Sequence, residues 1–122
     1  MTEEEIKKKL NLEHISTFHE GRTRVKKNGK CGHVDLNGKV TTPIIYDDVG
    51  YFYESRAWVK KNGKCGHVDK NGNITTPIIY DGVGHFQEGR AWVEINSIKF
   101  RIDKNGYLIR HKDYYKLIKG IF

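Results

Sequence analysis

The chain has 122 residues, 37% of them hydrophobic and 30% charged, and a formal net charge of +7. That length allows one domain with a thin core and excludes a large multi-domain assembly. No apolar run approaches a membrane span, and the start Met1-Thr2-Glu3-Glu4-Glu5 has neither the basic nor the apolar segment of a secretory signal. A cytoplasmic location without membrane attachment is therefore expected, with Cys31 and Cys65 as reduced thiols.

Residues 2–14 read as a short helix. Thr2 can cap it with Glu5 three residues on, acidic Glu3 to Glu5 meet the positive end of the dipole, and Lys7 to Lys9 come next. Ile6 and Leu10 give a small apolar stripe, so this segment reads as a cap laid over one end of the domain.

From there a period of 34 governs the chain. Val25–Val49 and Val59–Val83 share 21 of 25 residues. Phe18, Phe52 and Phe86 keep the same spacing, as do Asp35, Asp69 and Asp103, and Asn37-Gly38, Asn71-Gly72 and Asn105-Gly106. A fixed period of this size means one supersecondary unit copied and stacked. The spacing places a cap at 1–16 and repeats at about 17–50, 51–84 and 85–118 in a single domain.

Within a unit the pattern is β. Arg56 to Lys60 is rich in strand formers, and Asn62-Gly63 is a hairpin signal. Lys64 to Asp69 is the return strand, Asn71-Gly72 turns again, and Asn73 to Tyr80 is a third strand. Pro77 cannot donate to a ladder and points to an edge or a bulge. The expected fold is all-β: three stacked three-stranded meanders with short helical caps at both ends, in an open stack or a compact pseudo-threefold arrangement. Three repeats are too few for a closed propeller. In the third repeat Asn96-Ser97 replaces Asn-Gly, and Arg110 to Ile118 reads as a closing helix with Gly120 near its C-cap.

The recurring positions are Glu20-Gly21, Glu88-Gly89-Arg90-Ala91, Val25, Val59, Val93, Gly29-Lys30, Gly63-Lys64, Gly32, Gly66, Asp35, Asp69, Gly38, Gly72, Pro43, Pro77, Tyr46-Asp47 and Tyr80-Asp81. In this pattern residues 17–109 resemble the WG (KWG) repeat family of bacterial β-repeat proteins. The chain departs from the family at the signature itself: Cys31 and Cys65 stand where the tryptophan is expected, and His33 and His67 where an aromatic is usual two positions later. The resemblance implies an all-β interaction or ligand-binding module with no catalytic motif to transfer.

Three sets of side chains are candidates for function. Cys31, His33 and Asp35 alternate onto one strand face, as do Cys65, His67 and Asp69. Converging thiols and imidazoles would suit zinc, although a 34-residue separation is no zinc-finger spacing and filling of aromatic slots is the plainer account. In the third repeat Lys99 and Arg101 occupy those positions, which suggests a partly open rim. The second set is Arg22, Arg24 and Lys26; Arg56, Trp58 and Lys60; and Arg90, Trp92 and Glu94. They lie opposite small residues and Val25, Val59 and Val93, and so read as an outward basic and aromatic face able to stack bases, or as Trp packed on a neighbouring unit. The third is the hairpin lysines Lys26, Lys27 and Lys30, with Lys60, Lys61 and Lys64, aligned into a ridge that would meet phosphates or simply stay solvated. Repeated aspartates, including Asp47 and Asp81, read as turn holders.

The expected function is a non-catalytic, cofactor-free binding module for a protein partner. It would use the repeated surface of Arg56, Trp58, Lys60, Lys61, Lys64, Arg90, Trp92, Lys26, Lys27 and Lys30. The alternative is a binder of nucleic acid or a nucleotide-like anion through the lysine hairpins and Trp58/Trp92. An exposed end of the stack could also pair with its twin to form a homo-oligomer.

Overall fold

The computed structural model describes residues 1–109. The expected closing helix at 110–118 lies outside the described residues. One helix, α1 (Glu3–Leu10), precedes eleven strands: β1 (His14–His19), β2 (Arg22–Lys27), β3 (Lys30–Asp35), β4 (Val40–Tyr46), β5 (Asp48–Val49), β6 (Ala57–Lys61), β7 (Lys64–Val68), β8 (Ile74–Tyr80), β9 (Gly82–Val83), β10 (Arg90–Ile95) and β11 (Ile98–Asp103). Among the described residues the strands form three antiparallel sheets, ordered β1-β2-β3-β4, β5-β6-β7-β8 and β9-β10-β11, with no closed barrel.

The capping box is present. The Thr2 hydroxyl accepts the Glu5 N–H, and the Glu5 side chain accepts the Thr2 N–H. Asn11, in the left-handed region at φ 54°, ends the helix three residues before the expected stop.

The three long strands expected in a unit are there in the first two units, and two of them, β10 and β11, in the third. A short strand from the Tyr-Asp-x-Val segment joins the second and third meanders as their first member, the place that the longer β1 takes in the first. β5 pairs with β6 through Asp48↔Lys60 and Val49↔Val59, and β9 pairs with β10 through Val93↔Val83 and Glu94↔Gly82. The period is 34 throughout, and each sheet opens just after the Glu13, Asp47 or Asp81 position. The fourth strand of the third unit begins with the bridge Ile102↔Leu108, in register with Val34↔Val40 and Val68↔Ile74.

The turns explain the glycines. Asn28-Gly29 and Asn62-Gly63 have positive φ at both central residues, the type I′ geometry that matches strand twist. Asn96-Ser97 keeps that geometry at φ 51° and 65°, so the third unit retains its hairpin with a serine held where glycine is preferred, at a cost of about 1 kcal/mol. Asp35, Asp69 and Asp103 each accept two backbone N–H groups of the adjoining turn.

The core is divided into three small clusters. Ile6, Leu12, Val25 and Val34 form the first; Tyr46, Val49, Phe52, Ala57, Val59 and Val68 the second; Phe86, Ala91, Val93 and Ile102 the third. Tyr46 and Cys31 from the first unit pack into the second cluster, and Tyr80 from the second packs into the third. A unit of this size cannot bury its own apolar face, and stacking completes it.

Candidate functional site

The two histidines are pins between sheets. His33 carries its Nδ1 2.8 Å from the Thr42 hydroxyl and its Nε2 2.7 Å from the Gly50 carbonyl, which belongs to the second sheet. His67 does the same with Thr76 and with Gly84 of the third sheet, at 2.9 and 2.7 Å. Each ring sits edge-on to a phenylalanine, Phe52 or Phe86, at 4.7 Å. Both are fully buried. Burial away from water holds each well below the ordinary histidine range, at about 4.

This corrects the open-rim reading of the Cys-Gly-His-Val-Asp segment. His33 and His67 are not on a surface, because the next sheet closes over them. Cys31 places its Sγ 3.8 Å from the Asp47 carbonyl, and Cys65 is buried. Desolvation raises both thiols, reinforced by Asp48 at Cys31 and by Asp81 at Cys65. Among the described residues no three His, Cys, Asp or Glu side chains gather closely enough to hold a metal ion.

The expected basic and aromatic face divides into groups with different tasks. Lys30 and Lys64 are bound to Asp47 and Asp81. Those aspartates also accept the Asn62 and Asn96 N–H of the next unit's hairpin. Their lysine hydrogen bonds hold both carboxyls below the usual range. Part of the ridge is thereby spent on unit junctions, while Lys26, Lys60 and Lys61 remain exposed and Lys27 is half-buried. Arg22 and Arg56, half-buried, donate from Nε to the carbonyls of Lys70 and Lys104, one unit further on. Trp58 lies so close over Gly50 that no side chain fits there.

The third unit differs. Trp92 is 50% exposed, with the Arg101 guanidinium 4.6 Å from its ring. Arg90 is exposed and makes no side-chain hydrogen bond among the described residues. Arg101 stands where His33 and His67 stand in the earlier units. No further sheet faces it among the described residues, which accounts for a charged side chain at a position that is otherwise buried. A hollow of about 430 Å³ opens here, lined by His85, Glu88, Arg90, Trp92 and Arg101 among others.

The outer edge strands carry a recurrent surface that the alternation pattern alone does not single out. On β4 and β8, Val40 and Ile74 are 41% and 56% exposed, and Ile45 and Ile79 are 45% and 51% exposed. Pro43 and Pro77 are exposed between them, and Leu108 continues the first series in the third unit. The sequence does hold a signal for it: a proline that confines its strand to an edge, flanked by apolar residues outside the buried alternation.

Comparison with known proteins agrees with the repeat. The WG containing repeat matches residues 3–31, 32–65 and 66–97. No curated protein matches the chain. Among solved structures, the hemopexin fold protein CP4 from cow pea is similar over 91% of this chain and 72% of that one, at 15% identity and a TM-score of 0.33, too loose a likeness to bear on the fold.

Proposed function

The chain belongs to the WG repeat family, and from that premise we propose that it is a non-catalytic binding module for a protein partner, held against the outer edge strands. The observation that carries this reading is the recurrence of exposed apolar side chains at equivalent positions of successive units: Val40 and Ile74, and Ile45 and Ile79. Single exposed apolar residues are ordinary on any surface; a series of them at equivalent positions of successive edge strands is what a partner can use. Exposed Lys26, Lys60 and Lys61 and the net charge of +7 favour a partner with an acidic rim.

Capture from the source cell tests it. A protein retained by the parent chain is expected to be lost from the Ile45→Glu/Ile79→Glu variant and only weakened in Lys26→Glu/Lys60→Glu. Retention by the apolar variant would overturn the reading.

A second reading, a nucleic-acid or anionic ligand, draws on the exposed Trp92 with Arg101 across its ring and Arg90 nearby. It loses Lys30, Lys64 and Trp58, which are engaged elsewhere. Oligonucleotide affinity that falls steeply with salt and disappears in Trp92→Ala would favour it over the protein partner.

A further inference from the structure

Two junctions in this chain are built the same way. The Glu20 carboxylate accepts the N–H groups of Glu54 and Ser55, each at 2.8 Å, and the Glu54 carboxylate accepts those of Glu88 and Gly89. Arg22 and Arg56 reach the carbonyls of Lys70 and Lys104 at 3.1 and 2.9 Å. The glycine of each adjoining turn, Gly72 or Gly106, lies flat against the backbone of Thr41-Thr42 or Thr75-Thr76.

The third unit carries the first half of such a junction. Glu88 and Arg90 are exposed around the open hollow, and neither side chain has a hydrogen-bond partner among the described residues. The first unit carries the other half. Its Glu20-Gly21 turn has φ of 53° and 76°, the same as Glu88-Gly89, and open space surrounds Gly21. No carboxylate meets its N–H groups among the described residues.

The rest of that N-terminal face is covered by a substitute for a preceding unit. The Met1 amino group meets the Leu36 carbonyl at 3.3 Å, where Arg22 meets Lys70 one unit later. Ile6 and the Met1 sulfur lie against Gly38, where backbone lies against Gly72 and Gly106. Glu13, in register with Asp47 and Asp81, accepts the Gly29 N–H and donates its own N–H to the Lys26 carbonyl, as those aspartates donate to Lys60 and Glu94.

We propose that the open face of the third unit and the N-terminal face of the first are complementary halves of one head-to-tail interface between copies of this chain, and that α1 keeps it closed. The occupant is a second copy because both halves are on the same molecule, Glu88 and Arg90 at one end and the Glu20-Gly21 amides with the Leu36 carbonyl at the other. Such a contact is heterologous and open-ended, so an uncovered N-terminal face would propagate. α1 blocks it with one buried isoleucine and one amino group.

The test is sedimentation of the full chain over a wide concentration range, with circular dichroism as a check on folding. Ile6→Asp, which expels α1, is expected to self-associate at least about tenfold more tightly than the parent. Adding Glu88→Arg is expected to return it to the parent's behaviour. The Thr2→Ala/Glu5→Ala variant loosens the same helix without charging the core, and serves if Ile6→Asp does not fold. A folded variant that stays monomeric overturns the proposal. So does association indifferent to Glu88→Arg, which would mark indiscriminate apolar contact.

Discussion

His33 reaches the carbonyl of Gly50 with its Nε2 at 2.7 Å, across the boundary between the first and second sheets. A carbonyl only accepts, so the proton sits on Nε2 and the Thr42 hydroxyl donates to Nδ1. His67 repeats this arrangement against Gly84 and Thr76. Burial away from water requires a neutral imidazole at both junctions.

That requirement makes stability pH-dependent in a definite direction. Each histidine titrates at about 4 in the folded chain, against 6.5 when exposed. Between those values the unfolded chain binds more protons. Stability is full above 6.5, falls as pH drops toward 4, and loses no more from these groups below it. The expected loss is roughly 2–4 kcal/mol per histidine. Urea unfolding at a series of pH values checks it. His33→Gln/His67→Gln is expected to be less stable at neutral pH and to have a flatter profile over that window.

Glu20, Glu54 and Glu88 are equivalent in sequence and unequal in stability. Glu20→Ala and Glu54→Ala each leave two turn amides without their charged acceptor and are expected to cost about 1–3 kcal/mol. Glu88→Ala is expected to be near neutral in dilute solution, because no further turn meets its carboxylate among the described residues. Thermal melts of the three variants give the comparison directly.

Glycines separate in the same manner. A methyl group on Gly32 would stand 2.5 Å from the Thr42 carbonyl oxygen and 2.8 Å from that of Pro43, both backbone atoms. Gly32→Ala is expected to destabilise by about 2–4 kcal/mol, as overpacking against an unyielding wall does. Gly29→Ala meets open space and bears only the cost of positive φ, about 1 kcal/mol. Paired denaturant titrations distinguish the two.

The thiols should be slow. Burial raises both above the ordinary cysteine value, so at mildly alkaline pH the reactive thiolate is scarce and poorly reached. Alkylation by iodoacetamide is expected to lag behind free cysteine severalfold, with Cys65 slower than the partly exposed Cys31. Urea should abolish the difference. Mass spectrometry of tryptic peptides resolves the two sites.

The period of 34, the strand sequence, the capping box at Thr2 and the turn-holding aspartates were determined by the sequence itself, because each depends on residues within a few positions of one another or on their plain recurrence. Alternation along a strand also placed Val25, Val59 and Val93 inward correctly. What it could not tell at Cys31 and His33 was burial. β3 keeps its regular register with β2, and alternation reports which face a side chain takes, not whether another sheet covers that face. Only the tertiary structure decided that His33 is interior, that Trp58 packs on Gly50 while Trp92 stands half-exposed, and that Lys30 and Lys64 serve Asp47 and Asp81. Those outcomes rest on contacts between units, such as Arg22 to Lys70 across 48 residues. Identical side chains acquire different roles there according to whether a further unit stacks on their own.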